Sequence, residues 1–118
     1  MSDAPTLFSG GSVRRDLFGG KGAVRVRTVG VGPGLPPPFT AALACELEAG
    51  GHVGSHRQEH DEEFVLVVEG TGQGEVSGQN VPLAPGVLLP LPLGAVLSLR
   101  ADAVGPLRYL IVKAHLPK

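Results

Sequence analysis

Three observations in the sequence predict an all-β fold in a single domain. The chain of 118 residues contains 18 glycines and 11 prolines, the composition of short strands joined by many turns. Apolar residues recur with a period of two wherever the chain is not turn-like, which is the signature of half-buried strands. No segment carries helical periodicity for more than a turn or two, although Val13 to Phe18 has the pattern of a short helix. A chain of this length supports one modest core and not two.

The elements follow in order. Residues 1–22 read as an N-terminal arm, and 23–118 as the β domain. "AVRVRTV", 23–29, sets Val24, Val26 and Thr28 against Arg25 and Arg27, a strand with its arginines toward water. Residues 29–39, "VGVGPGLPPPF", read as a loop. "LACELEAGG" places Leu43, Cys45 and Leu47 on one face and ends at Gly50-Gly51. "EFVLVVEG" is a strand closed by Gly70, and "TGQGEVSGQNVPL" is a strand, a reversal at Gly78 and Asn80, and a strand. "LSLRAD" and "LRYLIVKAHL" add two more.

One uncharged stretch, "VPLAPGVLLPLPLGAVLSL" (81–99), is long enough to span a membrane as a helix. Prolines 82, 85, 90 and 92 forbid that helix, so it reads as buried, kinked β-structure. The net charge of −1 and the scattered basic residues give no phosphate-binding patch, which argues against a nucleic-acid partner. A lone Cys45 and an N-terminus without a secretory pattern imply a cytoplasmic protein with no membrane association. Cys45, among apolar neighbours, reads as a core residue and His115 as a surface residue.

Side-chain parity marks a candidate site. His56 and Gln58 share one face of a strand, about 6.6 Å apart at roughly 3.3 Å per residue. A turn over His60, Asp61 and Glu62 brings Glu63 back beside them, with Val65 and Val67 following it inward. Glu59, Asp61 and Glu62 read as a solvated turn. His60 has the right parity but reaches the site only if the loop folds in. His52 shares parity with His56 but lies about 13 Å up a regular strand, too far to join it. A buried Glu63 requires a partner, and His56, Gln58 or a metal would serve.

The spacing of these residues resembles the cupin family. The spacing of its first motif falls on Gly50, His56, Gln58, Glu63 and Gly70, and its second is matched at Gly86, Pro92 and Gly94, while its two polar positions fall on Leu97 and Ala101. Gln58 and Leu97 stand where the family has histidines. The resemblance covers residues 50–101 and implies a jelly-roll β-barrel. It also implies a divalent metal (Fe, Mn, Ni or Zn) held by three histidines and a glutamate. Carried over, that leaves His56 and Glu63 as ligands, Gln58 as a weak oxygen donor and His60 as a replacement; the ligand count is poor for a transition metal. With Leu97, Val65, Val67 and Leu99 forming an apolar wall, the cavity suits a small polar ligand bound near His56, Gln58 and Glu63. The alternative is a metal-dependent enzyme of dioxygenase or sugar-isomerase type. An outward apolar face of Phe64, Leu66 and Val68 requires cover, from the second sheet's edge, from the N-terminal arm or from a second copy in a homodimer. Small cupins are commonly dimers.

Overall fold

The structure is a computed structural model that describes residues 7–116. Ten strands build two antiparallel sheets. The larger sheet has the order β1 (Ser12–Arg15), β2 (Ala23–Val31), β3 (Phe39–Leu47), β10 (Leu107–Ala114), β5 (Glu62–Glu69) and β8 (Leu88–Leu91). The smaller has the order β4 (His52–Arg57), β9 (Val96–Ala101), β6 (Gly72–Val76) and β7 (Gln79–Leu83). From β3 onward the chain crosses between the sheets at every step except the β6–β7 hairpin, so it winds as a jelly roll. It is a barrel whose two sheets are not joined into one continuous hydrogen-bonded wall.

Alternation decides what is buried. Val65 and Val67 on β5, Leu97 and Leu99 on β9, and Leu107 and Tyr109 on β10 are 3 % exposed or less and meet between the sheets. Their neighbours Phe64, Leu66, Leu110 and Val112 point out and are half-buried. That outer face remains apolar, as its pattern predicts. The N-terminal segment reaches it, where the Arg108 guanidinium lies 5.7 Å from the Phe8 ring centroid. Further along, Phe39, Phe64, Leu88, Pro90 and Val112 border an open groove on the same side of the molecule.

The prolines of the uncharged stretch obey the ladder. Pro82 lies on β7 and Pro90 on β8, each the edge strand of its sheet, where a missing N–H leaves no partner unserved. At Gly70 the backbone adopts φ 92°, and a Cβ there would overlap the Pro106 carbonyl oxygen. Only glycine meets both conditions.

Four local expectations change. Val13 to Phe18 is not a helix: Ser12–Arg15 pairs with β2, and a 3-10 turn follows at Leu17–Gly19. A segment this short between glycines cannot hold helical turns alone, whereas Ser12–Arg15 gains a full ladder of backbone pairs by lying along β2. The expected loop 29–39 is shorter, because β2 runs on to Val31 past a register shift between Thr28 and Gly30. The reversal after β6 falls at Ser77-Gly78, both at positive φ. Asn80 belongs to β7, where its amide donates to Gln73 Oε1.

Candidate functional site

A cavity of about 650 Å³ opens between the sheets at one end of the barrel. Its floor is apolar, formed by Val53, Leu97, Leu99, Ile111 and Val26. His56, Gln58, Glu63 and Lys113 supply polar groups, and Arg14, Arg57, Glu59, His60 and Asp61 also line it.

His56 faces the cavity because β4 is irregular. Val53 pairs with Leu99 and His56 with Leu97, with a register shift between them. This bulge resets the alternation, so that Val53 is buried while His52 sits on the other side, bridged through its backbone to Lys21. Simple parity joined His52 to His56; the bulge separates them. Phe18, from the 3-10 turn, stacks on the His56 ring with centroids 4.1 Å apart and planes at 15°.

The imidazole is poorly served by hydrogen bonds. Gln58 Nε2 lies 3.4 Å from His56 Nε2, while the buried His56 Nδ1 has no well-formed hydrogen bond, only a weak approach to the Gly54 backbone. Whichever way the Gln58 amide is turned, it serves only Nε2. Burial lowers the His56 pKa from its ordinary value; the Gly54 backbone partly opposes this and the Lys113 ammonium adds to it. Gln58 itself is buried just beyond β4, and its backbone is fixed by bonds to Ala95 and Gly94. The two motifs are therefore tied directly to each other.

Glu63 is 7 % exposed and accepts no hydrogen bond from His56 or Gln58. Its cross-strand partner on β10 is Lys113. Burial raises the Glu63 pKa, the Lys113 charge opposes that rise, and Asp61 adds to it. The native state thus keeps the Glu63 proton at pH values where the unfolded chain has released it. This contribution to stability is complete below the unfolded value near 4.5 and is lost as pH rises through the higher native value. Glu63→Gln is expected to be more stable than the parent at pH 7, with the difference closing toward pH 4, as urea unfolding at several pH values would measure. A parent more stable at pH 7 would show that the Lys113 attraction outweighs burial.

The loop from Glu59 to Asp61 does not fold inward. His60 is exposed at the rim, and its carbonyl lies 3.2 Å from His115 Nδ1. Asp61 is more than a solvated turn residue, because it accepts a 2.9 Å bond from the Thr40 hydroxyl and pairs with His115 at 3.2 Å. Cys45 is a core residue: burial, followed by the Glu63 charge, pushes its thiol up to about 12 against the smaller opposing effects of Lys113 and the Tyr109 hydroxyl. A thiol held there is not a nucleophile at neutral pH.

Sequence reasoning missed two contributors. Lys113 was readable, since it continues the inward series Leu107, Tyr109, Ile111 on β10; it belongs to no motif. Phe18 arrives from a distant turn and has no local signal.

Sequence and structure comparisons agree with this architecture. The cupin domain family (Cupin_2) matches residues 43–113. The chain belongs to the cupin family. No curated protein matches the sequence. Among solved structures, the cupin chain is similar to a predicted oxalate decarboxylase from Thermotoga maritima, with 21% identity, TM-score 0.86, and coverage of 98% of this chain and 99% of that one. A cupin-2 domain from Rhodospirillum rubrum is 26% identical with TM-score 0.68, over 80% of this chain and 62% of the other. A cupin 2 conserved barrel protein from Rhodopseudomonas palustris is 22% identical with TM-score 0.70, over 82% and 64%.

Cupins often bind divalent metals, so the donor set of this cupin has to be tested against one. It does not fit. Among the described residues, no three His, Cys, Asp or Glu side chains gather as a metal site. His56 faces Leu97 across the ladder, His60 stays at the rim, and the Lys113 ammonium enters the same cavity and repels a cation.

Proposed function

We propose that this cupin binds a small molecule in its barrel cavity through protein groups alone, with the polar head at His56, Gln58 and Glu63 and an apolar body against Leu97 and Leu99. The observation that carries this reading is the cross-strand pair of His56 with Leu97. Where a second imidazole would complete a metal shell, the cavity has an apolar wall, and such a wall with a few convergent polar groups is the usual make-up of a ligand pocket. Among the described residues, no helix is long and apolar enough to cross a membrane.

The test is elemental analysis of untagged protein purified without chelator, combined with a thermal-shift screen. Expected are metal far below one equivalent, no shift with divalent ions, and a stabilising hit among organic acids, phenols or sugars that weakens in His56→Leu. Stoichiometric iron, manganese, nickel or zinc that disappears in His56→Ala would overturn the reading in favour of a metal-dependent enzyme.

A further inference from the structure

Among the described residues, Lys113 stands in this cavity without a hydrogen-bonded or ion-paired partner. The ion pairs among the described residues are those of Arg108 with Glu46 and Glu69, and of His115 with Asp61. Lys113 enters none of them, although its register places it directly opposite Glu63. It does face inward: it lines the cavity beyond Ile111 on β10, and its charge is felt at Cys45, His56 and Glu63.

From the unpaired Lys113 ammonium at the polar end of an apolar cavity, we infer that the occupant is a monocarboxylate with an aliphatic or aromatic body, its carboxylate seated on Lys113. This rests on the reading of the cavity as a small-molecule site and names the ligand class.

The rest of the cavity narrows the choice. A sugar needs hydroxyl partners all around its ring, and the walls beyond the polar end are mostly apolar, with Val53, Leu97, Leu99 and Ile111 offering none and Thr28 and Tyr109 supplying the hydroxyls there. A dianion such as oxalate or phosphate would place its second charge against Glu63. The other cations at the mouth are engaged or peripheral: the Arg57 guanidinium donates to the Gly94 carbonyl at 3.0 Å, and Arg14 is on an exposed edge strand. A single negative charge on an apolar body therefore satisfies Lys113 without offending Glu63. His56 and Gln58 carry the remaining donor capacity.

The experiment is calorimetric titration of the full chain with 4-methylpentanoate and with 4-methylpentanamide, which keeps the body and removes the charge. The acid is expected to bind at least tenfold more tightly than the amide, and Lys113→Gln to lose that preference while Lys113→Arg, which keeps the charge, retains part of it. The comparison of acid and amide on the unaltered protein stands even if a Lys113 variant fails to fold. Equal binding of acid and amide would overturn the monocarboxylate assignment, leave the small-molecule cavity intact, and identify Lys113 as a distant counter-charge for Glu63. Binding of neither, with no hit in the wider screen, would overturn both.

Discussion

A chain carrying Gln58→His and Leu97→His together is expected to take up one equivalent of nickel or zinc, where the parent takes up far less. Leu97 is the residue directly across from His56 in the β4–β9 ladder, and Cβ atoms of such pairs lie about 5 Å apart, within reach of one ion for two imidazoles. Gln58 follows His56 with its backbone fixed to Ala95 and Gly94, and Glu63 closes the set from β5. Three imidazoles and a carboxylate make an ordinary transition-metal site. Without metal the change is unfavourable, because Leu97 is 1 % exposed and an imidazole in its place is desolvated without a partner, costing about 3 kcal/mol. Metal at a thousand times its Kd returns about 4 kcal/mol. The double variant should therefore melt below the parent as apoprotein and at or above it with metal, at roughly 4 °C per kcal/mol. The Lys113 charge holds the affinity below that of an uncharged cavity, so adding Lys113→Met should tighten it. A folded double variant that binds no metal would show that positions 56, 58, 63 and 97 do not converge.

How far the sequence revealed this site depended on how local each cause was. Val65 and Val67 were legible because β5 is regular from Glu63 to Val67 and alternation alone assigns their face. Gly70, Gly86 and Gly94 were legible because each adopts positive φ in a turn, a demand that glycine meets without strain. The convergence of His56, Gln58 and Glu63 on one cavity followed from parity and spacing. His52 was set aside on distance, but the deciding cause is the β4 bulge, which no residue pattern announces. The hydrogen bond expected for Glu63 is absent, because its nearest counter-charge comes from β10, fifty residues on in sequence. Phe18 was out of reach because its position depends on two backbones approaching closely, at Gly20 and Gly54, both of which look like ordinary turn glycines in the sequence.

That close approach supports the second prediction. Gly54 is buried on β4 in the bulge just before His56, and a Cβ there would overlap the Phe18 carbonyl oxygen and press on the Gly20 nitrogen. Both obstacles are backbone atoms, so no side-chain rotation can relieve them. The facing turn has little freedom to yield in place: Asp16 and Phe18 already sit at φ 53° and 54°, a left-handed conformation that costs non-glycine residues roughly 1–2 kcal/mol each. It is held by the paired bonds between Lys21 and His52, at 2.7 and 2.8 Å, and by Asp16 Oδ1 accepting from the Gly22 amide at 3.0 Å. Gly54→Ala is therefore expected to lift the turn from the strand, with a loss of roughly 3 kcal/mol in urea unfolding. The Phe18 ring leaves His56 with it, removing a stack worth about 1 kcal/mol and exposing the imidazole. Because burial is the main cause of the lowered His56 pKa, the pKa should rise toward 6.5 when followed by NMR titration. In the parent, a histidine held below its ordinary pKa makes stability fall as pH drops below 6.5, since the unfolded chain binds the proton first; in Gly54→Ala that acid dependence should flatten. Phe18→Ala should reproduce the His56 shift with a smaller loss of stability, since it removes the ring without forcing the backbones apart. If Gly54→Ala leaves both the His56 pKa and the unfolding curve unchanged, the turn does not cover the histidine, and Phe18 is no part of the cavity.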